Sequence, residues 1–251
     1  MKAIILAAGI GKRLKEISGG RPKCLLEFDA ISLLHRHITL LDQNGVSEIL
    51  VITGYREDEI QASLNSLDID VKVSTEFNPD YESGSVISLW TAHSFLESGD
   101  DIILMDADVL YDPEILKALF TTQHENCFLL DRDFEPGDEP VKICVVGNTM
   151  VDFRKHIEAQ LKFDFQGESV GFFRFNSKVA KTLVQKCKDY RDSGQKDEPY
   201  EEILRDLLLQ SPEEFHYEDV SGLAWIEIDF PEDVQRAQNE ILTKIKQREV
   251  T

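Results

Sequence analysis

No apolar run in this sequence approaches the ~20 residues that a membrane-spanning helix needs, so a membrane protein is not expected. No basic leader precedes the first apolar stretch, and residues 3–8 fit a strand better than the core of a secretion signal, which makes the cytoplasm the expected compartment. Positive charge is in deficit: 27 Lys and Arg stand against 47 Asp and Glu, a formal charge of −20. That balance argues against nucleic acid and anionic membranes as partners, although a few cations gathered in one place can still hold a small phosphorylated ligand. The four cysteines, Cys24, Cys127, Cys144 and Cys187, are scattered with no C-x-x-C, against both a disulfide framework and a thiolate zinc site. Internal repeats and low-complexity linkers are also missing.

What is present is alternation. Strand-like runs at residues 2–7, 47–53, 70–76, 100–106 and 126–131 alternate with helix-like runs at 33–45, 57–67, 85–98 and 112–122. Asp112 reads as the cap of the last of these helices, with Pro113 at its first position. Such alternation predicts a Rossmann-like, doubly wound sheet, mixed but mostly parallel, with helices on both faces. After about residue 135 the rhythm changes. Residues 139–155 predict a hairpin turning at Gly147-Asn148. Further strands are expected at 169–175, 215–220 and 224–230, and helices at 176–194, 199–211 and from Pro231 onward. One domain over residues 1–251 is expected, with 1–134 as its nucleotide-binding part and 135–251 as a smaller α+β acceptor-side part ending in a helix.

Ligands of open α/β sheets bind at the carboxyl ends of the strands. There the first strand runs into Gly9-Ile10-Gly11-Lys12-Arg13, with Lys23 following a Gly-Gly-Arg-Pro turn. Glycines can expose backbone N–H groups to an anion. A Walker A loop is absent, and a dinucleotide fingerprint lacks its third glycine. A nucleoside triphosphate clamped by Arg13 and Lys23 remains, against the plainer reading of a turn with solvated cations. Two acidic stretches lie further on. ILMDADVLYD carries Asp106 and Asp108 at a strand end, and WIEIDFPED carries Glu227 and Asp229. Carboxylates with phosphate oxygens suit Mg²⁺.

Leu6-Ala7-Ala8-Gly9-x-Gly11-x-Arg13-Leu14, followed by Pro22-Lys23-x-Leu25-Leu26, resembles the signature of the nucleoside-triphosphate transferase family. Ala107-Asp108 resembles its metal-binding pair, and the tryptophan-and-acid stretch from Trp225 to Asp229 its second acidic element. NPDYESGSVISLW, DADVLY, GESVGFFRF and WIEIDFPEDVQRA together resemble the branch that transfers CMP from CTP to phosphocholine, 2-aminoethylphosphonate, inositol phosphate or similar acceptors. FDAISLL departs from the Gly-Lys-Pro-like turn usual there.

The resemblance implies a GT-A-like nucleotidyltransferase fold, Mg²⁺ on Asp108 and Asp229, and Arg13 and Lys23 as the catalytic cations. It implies nucleotide contacts from Leu6, Ala7, Ala8, Gly9, Gly11, Lys12, Ser83, Gly84, Ser85 and Asp106. Around the acceptor it implies Tyr81, Trp90, Lys142, Lys155, Glu168 and Glu227, with Phe172 and Phe173 as further aromatic candidates. Trp90 also fits a core position, and Ser83 to Ser85 an ordinary turn entering a helix. The expected partners are CTP and one small phosphorylated or phosphonylated acceptor, in a monomer or homodimer. A sugar-1-phosphate nucleotidyltransferase using UTP, GTP or dTTP is the alternative, since it needs the same catalytic residues.

Overall fold

The computed structural model describes residues 1–249. In order, the elements of the first half are β1 (Lys2–Leu6), a small hairpin of β2 (Glu27–Phe28) and β3 (Ile31–Ser32), α1 (Leu33–Gln43), β4 (Glu48–Thr53), α2 (Glu57–Asn65), β5 (Lys72–Phe77), α3 (Ser85–Thr91), α4 (His93–Leu96), β6 (Ile102–Asp106), β7 (Val109–Tyr111), α5 (Pro113–Thr121) and β8 (Cys127–Asp131). The second half adds β9 (Lys142–Val146), β10 (Thr149–Arg154), β11 (Phe165–Phe175), α6 (Ser177–Asp192), α7 (Tyr200–Gln210), β12 (His216–Asp219), β13 (Trp225–Glu227), α8 (Pro231–Arg236) and α9 (Leu242–Glu249).

β1 lies between β4 and β6, and β5 follows β4, all parallel. β11 reverses the direction. It pairs antiparallel with β9 through Phe165–Glu168 and with β6 through Phe172–Phe175, and it also pairs β8, which carries β12. One mixed sheet of nine strands therefore runs through both halves of the chain, the expected Rossmann-like, GT-A-like architecture. β7 and β13 form a separate two-stranded ribbon.

α1, α5 and α6 start where the sequence offers a capping side chain. The side chains of Ser32, Asp112 and Asn176 accept from the backbone N–H of His35, Glu114 and Val179. The helix expected over 85–98 is instead two, because the chain tightens at Ala92 into an i→i−3 turn toward Leu89. The terminal helix is likewise interrupted by a π turn over Ala237–Ile241. The β2–β3 turn takes Asp29 and Ala30 into the left-handed region, at φ 56° and 58°.

Three apolar clusters hold the molecule. One lies under α3, α6 and α7, around Phe128, Phe153, Phe173 and Phe175. A second fills the opposite face under α1 and α5. The third joins Ala237, Ile241, Leu242 and Ile245 of the C-terminal helix to Leu14, Phe28, Leu110, Ile226 and Ile228. All four cysteines are buried and unbridged. Among the described residues no helix is long and apolar enough to cross a membrane.

Candidate active site

The loop after β1 is built around Lys23. Gly11 sits at φ +62°, and a Cβ there would come within 2.8 Å of the Lys23 Cγ. Two features of this position thus call for glycine, its backbone conformation and the lysine stem lying against it. Leu14, fully buried, pins the loop from below, and the Arg56 guanidinium donates to the Gly20 carbonyl at 2.9 Å. Lys23 opens a short 3₁₀ turn after Pro22.

The two acidic stations meet through the β7–β13 ribbon. Glu227 pairs with Val109, and the Ile228 N–H then donates to the Asp108 carbonyl at 2.9 Å. The Asp233 carboxylate accepts from the N–H of Asp229 and of Phe230, which fixes the backbone that carries the second aspartate. One oxygen from each of Asp108, Glu227 and Asp229 thereby lies within 4.8 Å of the others.

The Lys23 ammonium stands on two of these acids, 2.6 Å from Asp108 Oδ2 and 2.6 Å from Asp229 Oδ1. Arg13 approaches Asp229 at 3.7 Å and Glu139 at 3.2 Å, with its guanidinium over the Phe230 ring. Burial disfavours a charged Lys23, but the two aspartates outweigh it and hold the ammonium protonated well above the usual lysine range. Burial also opposes ionisation of Asp229, yet Lys23 and Arg13 bring its carboxyl below the usual range. At Glu227 the Lys23 charge is outweighed. This residue is the most exposed of the three acids, yet the surrounding protein and the neighbouring carboxylates of Asp108, Asp229 and Asp106 push its carboxyl well up.

Two chambers open on either side of Asp229. One, of about 390 Å³, is lined by residues 9–13, Lys23, Tyr81, Glu82 and Ser83. The other, of about 330 Å³, has acidic walls from Asp131, Glu135, Glu139, Glu168 and Glu227 and aromatic ones from Phe134, Trp225 and Phe230. The Trp225 indole N–H donates to Asp131 Oδ2 at 2.7 Å. Burial and the Asp131 charge raise the Glu168 carboxyl to about 7.

Gly9, Gly11, Lys12, Arg13, Lys23 and Ser83 thus border the first chamber, and so does Tyr81, expected beside the acceptor; Glu168 and Glu227 border the second. Lys155 is nearby, bonded to Glu139 at 3.3 Å.

Several expected contacts are corrected. Ala7 spends its N–H on Ile52 and Ala8 its carbonyl on Tyr55, so Leu6, Ala7 and Ala8 are the packed base of the loop. Gly84 lies against the Asp197–Glu198 backbone, where a Cβ would be 2.3 Å from Asp197, and Ser85 Oγ accepts from the Tyr200 N–H; both form a seam with α7. Asp106 does not line the chamber of the glycine loop. It accepts from the Tyr200 hydroxyl at 2.8 Å and fits against Gly171 in a small inner pocket with Glu201 and Glu227.

Trp90 stacks on His93 and lies beneath Arg191, against the core and outside both chambers. Lys142 donates to the carbonyls of Gly137, Pro140 and Lys155, leaving its ammonium committed to backbone. Phe172 and Phe173 are fully buried core residues. Glu227 borders the second chamber as expected of an acceptor contact and also stands with the two metal-candidate aspartates.

Sequence reasoning passed over Asp131, Phe134, Glu139, Tyr200 and Glu201. Asp131 reads as the end of a buried strand, and Phe134 and Glu139 sit in a polar loop without periodicity. Tyr200 and Glu201 read as the ordinary start of a helix.

Known proteins show the same architecture. The inositol-1-phosphate CTP transferase from T. maritima superposes with a TM-score of 0.75 at 26% identity, over 98% of this chain and 96% of that one. In sequence, the CTP:phosphoglutamine cytidylyltransferase of Campylobacter jejuni subsp. jejuni is 24% identical over 94% of this chain and 98% of its own. The mannose-1-phosphate guanyltransferase of Emericella nidulans is 27% identical over 99% of this chain and 66% of its own. Two further relatives are longer proteins, of which this chain spans 52% and 38%. Residues 3–161 match the MobA-like NTP transferase domain, and the chain belongs to that family of nucleotidyltransferases.

Proposed function

We propose that this chain transfers CMP from CTP to a small phosphorylated or phosphonylated alcohol or amine and releases pyrophosphate. The observation that carries the reading is the convergence of Lys23 with Asp108 and Asp229, 85 and 206 residues away along the chain, beside a glycine loop and Arg13. Asp108, Glu227 and Asp229 offer only carboxylate oxygens, the donors a hard divalent cation prefers, and an ammonium already sits between two of them. These residues fit Mg²⁺, which when bound would neutralise charge on the triphosphate and bring donor and acceptor together.

An oxygen of the acceptor's phosphate or phosphonate attacks the α-phosphorus of CTP. The bond from that phosphorus to the bridging oxygen of the β-phosphate breaks, and pyrophosphate leaves with the electron pair. The nucleophile is already an anion near neutral pH, so no general base is needed. Lys23 steadies the α-phosphate and the incoming oxygen. Arg13 holds the leaving phosphates, while Tyr81 and Ser83 border the base. Alignment and charge neutralisation carry the rate.

The second chamber favours an acceptor with a cationic head, such as phosphocholine or 2-aminoethylphosphonate, over a neutral sugar. Its carboxylates attract a positive charge, and Trp225 and Phe134 offer aromatic faces to it. The guanyltransferase among the relatives keeps the alternative specific: a sugar 1-phosphate with another nucleotide. Pyrophosphate release, measured for four nucleoside triphosphates against phosphocholine, aminoethylphosphonate, inositol phosphate and sugar 1-phosphates, decides between them. Fastest release with CTP and a cationic acceptor is expected. Faster release with GTP, UTP or dTTP and a sugar phosphate would replace this reading by the alternative.

A further inference from the structure

The Lys23 ammonium stands on two of the three acids that could hold a divalent ion. It lies 2.6 Å from an oxygen of Asp108 and 2.6 Å from an oxygen of Asp229, the two acids that with Glu227 form the carboxylate triad. A small hard cation binds carboxylate oxygens at about 2.1 Å. An ammonium at hydrogen-bond distance from the same two carboxylates competes with it for their charge and repels it at short range. The contact is also shielded, since the Lys23, Asp108 and Asp229 side chains are only 18%, 19% and 24% exposed.

Lys23 has somewhere else to go. Its side chain also lines the chamber of residues 9–13, and its stem runs along Gly11, where the missing Cβ leaves it a track. Its backbone is held, with the carbonyl accepting from the Leu26 N–H, so the motion belongs to the side chain alone. A triphosphate in that chamber supplies anionic oxygens to replace the two aspartates as partners.

We propose that Lys23 is a built-in counter-cation, which closes the carboxylate triad to divalent ions until a bound triphosphate draws the ammonium away. Without nucleotide, the lysine satisfies Asp108 and Asp229 and the triad binds metal weakly. With nucleotide, the same lysine moves to phosphate and the triad becomes available. Metal and nucleotide then bind with positive coupling through one side chain. This rests on the reading that the triad holds a divalent cation, and the test separates failure of one from failure of the other.

The test is Mn²⁺ binding to nucleotide-free protein, followed by the electron paramagnetic resonance of the free ion. Lys23→Met is expected to bind Mn²⁺ at least about tenfold more tightly than the wild type. Lys23→Arg, which keeps a cation at the position, is expected to bind it weakly. Adding Asp108→Asn to Lys23→Met should abolish the gain. Equal affinity in wild type and Lys23→Met, lost on Asp108→Asn, would overturn the counter-cation role and leave the metal triad standing. No Mn²⁺ binding by folded Lys23→Met would overturn both.

Should Lys23→Met fail to fold, the wild type answers through its own amine. In the proposed scheme Mn²⁺ that enters the triad displaces Lys23, so acetylation of Lys23 by a small anhydride, read by mass spectrometry, is expected to rise with Mn²⁺. Labelling that stays constant through saturation of the site would overturn the proposal.

Discussion

Lys23 and Glu168 show how one side chain's surroundings set its chemistry. The Lys23 ammonium is held by two aspartates at 2.6 Å, in a cleft where a positioned charge counts for far more than in water. Lys23→Ala and Asp108→Ala are each expected to lower turnover by about 10²–10³-fold while thermal melts show folded protein. Turnover near that of the wild type in either variant would remove the residue from the catalytic group. Glu168 has a carboxyl raised to about 7 by burial and by Asp131. The folded state holds this proton more tightly than the unfolded chain does. The stabilising contribution is therefore complete below the ordinary glutamate pKa and is lost as pH rises through about 7. Glu168→Gln cannot ionise. Relative to the wild type, it should gain stability between pH 5 and pH 8, by about 2 kcal/mol, in denaturant titrations at the two pH values. With a cationic acceptor the same variant should raise KM for the acceptor and spare KM for CTP.

Among the elements, the β7–β13 ribbon does most to make the site. Its pairing sets Glu227 opposite Val109, and the next bond joins Ile228 to Asp108, so the two acidic stations are one hydrogen bond apart at the backbone. The β2–β3 turn has a different character. Ala30 sits at φ +58°, a conformation that a side chain disfavours by about 1 kcal/mol, so Ala30→Gly should stabilise the protein by up to that amount. Unchanged or lower stability in equilibrium unfolding would contradict this. Gly171 is the converse case. At φ +79° a Cβ would lie 2.4 Å from Asp106 Oδ2, so Gly171→Ala has to displace the carboxylate that Tyr200 holds.

Across the whole molecule, the C-terminal helix ties the first strand's loop to the last acidic station. Leu242 and Ile241 belong to the same apolar cluster as Leu14, next to Arg13, and Ile228, next to Asp229. Leu242 is 4% exposed, so Leu242→Ala should cost about 2–4 kcal/mol of stability by denaturant titration. Because the cluster holds both sides of the cleft, the variant should also lose turnover at temperatures where it remains folded. Full turnover there would show that the helix supports the fold alone.

By itself the sequence determined most strands and most helix starts, because these rest on local patterns such as apolar period and the capping side chains Asp112 and Asn176, but it gave no sign of β2, β3 or β7. It also singled out Arg13, Lys23, Asp108 and Asp229 as candidates, by their order along the chain. Tertiary structure alone decided what each group faces. Asp106 and Asp108 are two residues apart, yet one turns to Tyr200 and the other to Lys23, since β6 ends at Asp106 and strand alternation stops there. Trp90 and Trp225 are both tryptophans near acceptor-like motifs, and only packing sends one to α6 and the other to the acidic chamber. Side-chain direction depends on which distant strands pair and which faces they bury, and no neighbouring residue in the chain encodes that.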